Sequence, residues 1–282
     1  MIAAPADLLI VGGLAVDRLA DGSTVAGGSV LHGARAAAAA GWSVATITAV
    51  GPEPEALAAA AELSALGPSL AFPAPSSIRF AIHEGRGRRS LTLEASGAAV
   101  ALRLADVARA RPRSVLLAPI AAELGAAALR AAADVSTRVV ALQGWLRGLA
   151  TDEDVHAMSL DALGDDLSAE LAELDAVIAS EEDLAAVAQS PPQQLSALRT
   201  HLGTRPLIVI TAGAAGAWLD DPATGVQQLP AGPPIVAIST IGAGDAVASL
   251  LTAGLGHGLG AVAATRAAML GTADYLRARL GR

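Results

Sequence analysis

The sequence predicts a doubly wound α/β fold, a mostly parallel sheet with helices on both faces, and three observations lead there. Short runs of branched aliphatic residues recur along the chain and alternate with alanine- and leucine-rich helical stretches, the rhythm of strand–helix–strand units. Those runs are continuous rather than alternating, as strands covered on both faces require. Glycine-rich turns follow several of them, at the strand ends where such sheets bind ligands.

In chain order, Leu8-Leu9-Ile10-Val11 reads as a buried strand closed by a tight turn at Gly12-Gly13. Asp21-Gly22-Ser23 is a turn signal. Gly27-Gly28-Ser29 opens a helix with a body from Val30 to Ala40, and Gly41 ends it. Val44 to Val50 is a second strand, and residues 55–66 form an Ala/Leu/Glu helix. Ser77 to Ser96 has a different texture, alternating on either side of Gly85 and Gly87. That pattern predicts a half-exposed antiparallel hairpin, suited to a lid or an oligomer edge rather than to the main sheet. From Ser114 the rhythm resumes, with strands at 114–118, 138–142, 175–179 and 206–211. Pro191-Pro192 starts a helix, Asp220 to Pro234 is turn-rich with short strands, and apolar helices at about 243–256 and 260–280 finish the chain. No repeat or linker composition interrupts this order. The expected organisation is one domain over residues 1–282, with a small β lid from about 18–26 and 76–97.

Composition removes several classes of function. Hydrophobic residues make up 53% of the 282 and the mean hydropathy is +0.50. Even so, no stretch of about 18 apolar residues runs without a charge, Gly or Pro, so no membrane span is expected. A net charge of −8 with 2% aromatic residues speaks against nucleic-acid binding, which needs a basic surface and stacking rings. There is no cysteine, hence no disulfide or thiolate chemistry, and the N-terminus lacks a basic leader, so a cytoplasmic location is expected. All 19 basic residues are arginine. Without lysine, Walker-type phosphate binding, Schiff bases and pyridoxal attachment are excluded together. Any phosphate must be held by backbone amides and arginine.

The most informative segment is Ser239-Thr240-Ile241-Gly242-Ala243-Gly244-Asp245-Ala246. Two glycines around an alanine, directly before a helix, leave N–H groups open at a helix N-terminus, an anion site by geometry. Asp245 reads either as a cap of that helix or as a carboxylate placed to take a proton. The helix behind it is apolar, so the carboxylate stands at the edge of a dry core. Phosphoryl transfer to a hydroxyl needs a carboxylate so placed.

These residues resemble the C-terminal signature of the PfkB/ribokinase family of carbohydrate and nucleoside kinases. The resemblance implies a ribokinase-like fold and ATP-dependent phosphorylation of a hydroxyl, with Asp245 as general base and the amides of Gly242, Ala243 and Gly244 as anion hole. Val11-Gly12-Gly13-Leu14-Ala15-Val16-Asp17 is similar to the family's opening strand, which implies that Asp17 binds substrate hydroxyls. Ala26-Gly27-Gly28 resembles its di-glycine hinge, giving Gly27 and Gly28 a place at the substrate. Thr211-Ala212-Gly213-Ala214-Ala215-Gly216-Ala217 resembles its nucleotide-contacting element, with Thr211, Gly213 and Gly216 as donor contacts. The four segments follow in order over nearly the whole chain.

Some positions depart from that pattern. His32 stands where sugar kinases of the family carry an asparagine that touches substrate; it is either a retained contact with altered specificity or a partly exposed histidine near a helix start. Ser180-Glu181-Glu182-Asp183 replaces an Asn-x-x-Glu element that organises Mg²⁺ and phosphate. Ser180 and Asp183 are therefore either donor-site residues or a helix cap with its acidic first turn. Gln143-Gly144-Trp145-Leu146-Arg147 resembles a branch that includes inositol-type kinases, and Arg147 is a candidate for a substrate anion or the γ-phosphate. Arg86, Arg88 and Arg89 mark the hairpin tip, either solvated or closing over phosphates. The expected cofactors are ATP and Mg²⁺, the metal held through nucleotide phosphates and not by direct side-chain ligation. The expected partner is a small sugar, polyol or nucleoside, an inositol-like polyol being favoured, and a homodimer through the lid is compatible. A non-catalytic ribokinase-like ligand-binding protein is the alternative that the altered Asn-x-x-Glu element keeps open. A nicotinamide oxidoreductase is disfavoured because Gly12-Gly13 lacks the G-x-G-x-x-G spacing.

Overall fold

The computed structural model describes residues 5–85, 88–232 and 240–279. Arg86, Ser239 and the side chains of Arg88 and Arg89 lie outside the described parts. Fifteen strands are described: β1 (Leu8–Gly12), β2 (Ala15–Arg18), β3 (Thr24–Gly27), β4 (Val44–Val50), β5 (Ser69–Pro73), β6 (Ile78–Gly85), β7 (Arg88–Ser96), β8 (Ser114–Ala118), β9 (Thr137–Ala141), β10 (Arg147–Gly148), β11 (His156–Ala157), β12 (Ala176–Ser180), β13 (Leu207–Thr211), β14 (Ala217–Asp221) and β15 (Gly225–Leu229). The helices are α1 (Ser29–Ala39), α2 (Pro54–Leu66), α3 (Leu104–Ala110), α4 (Ala126–Ala131), α5 (Gly164–Ala172), α6 (Pro191–Leu202), α7 (Ala243–Gly256) and α8 (Ala261–Ala278).

Nine strands form the main sheet in the order β15-β14-β13-β12-β9-β8-β1-β4-β5. From β13 to β5 all pairs are parallel, and β14 and β15 add antiparallel at one edge. The predicted α/β class is therefore what the chain adopts. Alternate side chains of each strand feed two cores. Leu8, Ile10, Leu116, Val139, Ile178 and Val209 meet α1, α2, α7 and α8 on one face. Leu9, Val11, Leu117, Val140, Val177 and Ile208 meet α3 to α6 on the other. Burial on both faces is why these strands read as unbroken aliphatic runs.

The order reverses around β1, because the chain winds outward to β4 and β5 and then returns through β8 toward β13. A crevice opens outside the carboxyl ends of the strands at such a switch point. Over it lies a second sheet, ordered β3-β2-β6-β7, in which β2 and β6 run parallel and the other pairs antiparallel. Ala15, Ile78, Phe80, Leu93, Ile120 and Ala121 cluster where this sheet meets the main body.

The segment between β10 and β11 was not legible as structure in the sequence. Its residues 152–155 run along the outer edge of β7 as a strap. Asp152 N donates to the Leu93 carbonyl at 2.7 Å, Leu93 N to Glu153 O at 3.2 Å, and Val155 N to Leu91 O at 2.7 Å. The Thr92 hydroxyl adds a bond to Asp154 Oδ1 at 2.8 Å. Among the described residues, no helix is long and apolar enough to cross a membrane.

Candidate functional site

A cleft of about 1140 Å³ lies at the carboxyl ends of the main-sheet strands, roofed by Phe80, Ile82 and Leu91 of the smaller sheet. It brings together nearly every residue singled out in the sequence. Asp17, Gly28 and His32 line it from the N-terminal segments, Arg147, Ser180 and Asp183 from the middle. Thr211, Gly213, Gly216, Gly242, Ala243, Gly244 and Asp245 line it from the C-terminal part. Gly27 does not line the cleft. It lies beneath, so close that a side chain there would meet the Asp17 carboxylate.

At one end, Asp17 on β2 is 8% exposed and His32, in the first turns of α1, is 4% exposed. The expectation of a partly exposed histidine is thus corrected: the imidazole is covered by α7 and α8. Its Nδ1 lies 3.3 Å from the hydroxyl of Tyr275, the chain's single tyrosine. Burial, aided by the nearby Arg279 and Arg35 cations, pushes the His32 pKa down to about 4. The ring is therefore neutral at ordinary pH.

The Gly-Ala-Gly-Asp turn stands over that imidazole. Gly242 caps α7 with φ 81, a left-handed conformation, and a Cβ on it would run into the His32 ring. Only glycine meets both conditions without strain. The Ala243 amide donates to Thr240 O at 3.0 Å, so it closes the turn, and Gly242 and Gly244 flank it at the head of α7. Arg279, at the end of α8, donates to the Ile241 carbonyl at 2.7 Å and holds the turn from behind. Asp245, in the first turn of α7, is half-buried.

The segment from Gln143 to Arg147 shows how local packing aims two polar groups. Gly144 fits against the Pro119 peptide so tightly that any Cβ would collide with it. The Trp145 indole donates to the Leu124 carbonyl at 2.6 Å, and Leu146 is fully buried. Anchored in this way, Gln143 and Arg147 face the cleft. Gln143 Nε2 donates to Asp245 Oδ1 at 3.1 Å, and its Oε1 accepts from Arg147 Nη2 at 3.2 Å. Because a guanidinium only donates and a carboxylate only accepts, this amide orientation is forced. Arg147 Nη2 also reaches Asp183 Oδ1 at 3.5 Å, with both side chains largely buried.

Ser180 and Asp183 satisfy one another. The Ser180 hydroxyl and amide donate to Asp183 Oδ2 at 2.6 and 3.2 Å, and the Asp183 amide donates back to Ser180 Oγ at 3.1 Å. The reciprocal pattern is that of a capping box, but the residues that follow form turns and not a helix, and it directs the remaining oxygen of Asp183 to Arg147. The carboxylates of Glu181 and Glu182 are exposed on the cleft wall.

Three contributors carried no signal in the sequence. Gln143 was part of a quoted segment, but nothing local says that it touches Asp245, 102 positions away. Tyr275 sits 243 positions from His32. Glu123 is buried, and its carboxylate accepts from the amides of Ile120 at 3.0 and 3.1 Å and of Ala121 at 2.8 Å. Burial pushes its carboxyl up, while those amides and the distant Arg147 pull against the rise. It shapes the turn that places Ile120 in the cleft wall.

The sheet order, the small roofing sheet and the cleft between them define the ribokinase-like class. Residues 133–271 match the model of the pfkB family carbohydrate kinases, the family that the segments at 211–217 and 240–245 resemble. A pyrophosphate-dependent kinase of the ribokinase family, complexed with a pyrophosphate analog and myo-inositol, superposes with TM-score 0.78 at 17% identity over 96% of this chain and 95% of its own. The ribokinase of Arabidopsis thaliana, complexed with ribose and ATP, gives 0.75 at 15% over 97% and 93%. The adenosine kinase of Schistosoma mansoni, in complex with 2-fluoroadenosine, gives 0.74 at 15% over 97% and 96%. No curated protein sequence matches the chain. The family match and the fold together support a carbohydrate-kinase type of function, phosphorylation of a small molecule.

Proposed function

We propose that the protein transfers a phosphoryl group from ATP to a hydroxyl of a small polyol or sugar, with Asp245 as the general base. The observation that carries this is the placing of the Asp245 carboxylate at the head of α7, directly after the Gly242–Gly244 turn, in one cleft with Asp17 and His32. Asp17 orients the acceptor, Asp245 removes the proton of the attacking hydroxyl, and the open amides at the turn face the charge on the transferred group. Arg147, the one guanidinium among the described cleft residues, neutralises the donor phosphates from the side. The turn from Thr211 to Gly216 lies where the rest of the donor would run.

The residues present fit a Mg²⁺–phosphate complex of the kind that keeps most of its water. Asp183 is occupied by Ser180 and Arg147, but Glu181 and Glu182 offer carboxylates to the metal's water shell. When bound, the ion would offset phosphate charge. A second donor, pyrophosphate, is favoured by a specific observation: solved structures of pyrophosphate-dependent kinases, one of them holding myo-inositol, superpose on the chain over nearly its whole length. That likeness also supports an inositol-like acceptor.

The test supplies Mg²⁺ with either ATP or pyrophosphate to a panel of polyols, pentoses, hexoses, sugar acids and nucleosides, and follows the phosphate ester by phosphorus NMR. Ester formation with ATP and one acceptor class is expected. Ester with pyrophosphate alone replaces the donor, and no ester with either, while a donor still raises Tm, supports the ligand-binding alternative. Gln143→Leu is a further check. It removes one hydrogen bond to the Asp245 carboxylate, and kcat is expected to fall about 10- to 100-fold, the worth of a bond to a charged group. Unchanged kcat in that variant separates Gln143 from the reaction.

A further inference from the structure

One residue of the roof is tied to the donor side of the cleft through the strap. Leu91 of β7 lines the cleft, and its carbonyl accepts from the Val155 amide at 2.7 Å. Leu149 and Val155, at the two shoulders of the strap, pack with Leu91 against the cluster that seats the roof. Two residues past Val155, Ala157 pairs with Arg147 in the β10–β11 ladder, and Met158 N donates to Leu146 O at 2.8 Å. The chain thus passes from the roof to the backbone of Arg147 in three residues, hydrogen-bonded at both ends.

The start of this hairpin is seated on the body by Gly144 and the Trp145 indole, while its far end is carried by the roof. Among the described residues, the roofing sheet shares no strand pairing with the main sheet. The two sheets can therefore change their separation without breaking a ladder, and the strap must follow β7. The guanidinium of Arg147 is held loosely enough to respond. Its bonds to Gln143 Oε1 and Asp183 Oδ1, 3.2 and 3.5 Å, are longer than the roughly 2.7–2.9 Å of tight charge-assisted bonds.

The register shows where the strap is fastened. The bonds from Leu93 N to Glu153 O and from Val155 N to Leu91 O flank Thr92 and Asp154, which makes these two a non-hydrogen-bonded antiparallel pair with their side chains close together. The Thr92 hydroxyl donates to Asp154 Oδ1 at 2.8 Å. That uses its hydrogen, so His83 Nε2, 3.1 Å from the same oxygen, is the donor there. Side chains thus fasten β6, β7 and the strap together.

We infer that the β10–β11 hairpin makes the placing of Arg147 depend on the roof, so that an acceptor drawn under Leu91 sets the guanidinium for the donor and the two ligands bind cooperatively. The inference rests on the kinase reading of the cleft, with Arg147 as its donor-side cation. Thr92, Asp154 and Val155 do not line the cleft and are positioning residues.

Calorimetry tests this by measuring donor affinity with and without saturating acceptor. The probes are Mg²⁺ with the β,γ-imido analogue of ATP, or imidodiphosphate if pyrophosphate proves the donor, and the acceptor that forms most ester. The acceptor is expected to tighten donor binding about 10-fold in the wild type, and by a factor of only about 1 in Thr92→Asp. That variant sets two carboxylates face to face and detaches the strap; Asp154→Ala, a gentler cut, stands in should it fail to fold. The exchange Thr92→Asp/Asp154→Thr restores a hydroxyl–carboxylate bond and should restore the factor, whereas Arg147→Met should abolish it. The chain has no cysteine, so Thr92→Cys/Asp154→Cys gives the same pair a single reducible cross-link, and its oxidised form should keep the full factor. A wild type without coupling, a factor unchanged by the cuts or not restored by the exchange, or one lost on cross-linking overturns the inference. An unchanged factor with a lowered Tm marks the strap as an edge cover only. If no acceptor forms ester with either donor, the kinase reading fails and the inference with it; ester formation with a factor indifferent to the strap refutes the inference alone.

Discussion

Asp245→Asn is expected to lower acceptor-dependent phosphoryl transfer by about 10²- to 10⁴-fold, the usual contribution of a general base. Asparagine has the same shape, and its side-chain oxygen still accepts from Gln143 Nε2, which now reaches Asp245 Oδ1 at 3.1 Å. The fold should therefore persist, with Tm changed by no more than a few degrees and donor affinity by calorimetry nearly unaltered. The discriminating measurement is the initial rate of ester formation at saturating donor and acceptor. A variant retaining a tenth or more of the wild-type rate removes Asp245 from the proton-transfer role. A loss confined to KM would make it a binding group only.

Gly242→Ala has the second largest expected effect, and for two separable reasons. The residue sits at φ 81, where a non-glycine costs about 1–2 kcal/mol, and its new methyl group would enter the space of the buried His32 ring. Stability should fall enough to lower Tm by several degrees. The turn must also shift, moving the amides proposed to face the transferred group, and loss of one such donor costs about 10²- to 10³-fold in kcat. Gly244→Ala is the control. It has no positive φ, and a Cβ there meets nothing within 4 Å, so Tm should hold. If the two variants lose activity and stability equally, the special geometry of Gly242 is not what the turn depends on.

The parts of the architecture that could be read directly from the chain are those written in short stretches. Leu8–Val11 and Val44–Val50 announce buried strands because each has a core on both faces, and the Gly242–Asp245 turn announces a helix start because the glycines and the carboxylate lie within four positions. β5 escaped notice because Ser69–Pro73 is an edge strand ending in proline, with little of the aliphatic density of the central strands. The strap at 152–155 escaped because it is joined to β7 mainly through backbone groups, which leave no mark on side-chain pattern. The connections that organise the cleft were the least visible. Gln143 to Asp245, Tyr275 to His32 and Arg279 to Ile241 each join elements distant in sequence but adjacent in the folded sheet. His32 was visible as a departure from a family pattern, but its burial follows from the packing of α1 against α7 and α8, which no local window contains.

The strap also governs how copies of this chain could stick together. An open sheet edge is a template on which another chain can lay a strand, and long open edges invite fibres. Here residues 152–155 take up backbone groups of Leu91 and Leu93, so the outer side of β7 is closed to an incoming strand at that point. The opposite edge of the small sheet is β3, four residues from Thr24 to Gly27, with Val25 exposed. An edge so short can satisfy only a few hydrogen bonds of a visitor. Strand addition through this sheet is thereby hindered at Leu91–Leu93 on one edge and limited to a few hydrogen bonds on the other.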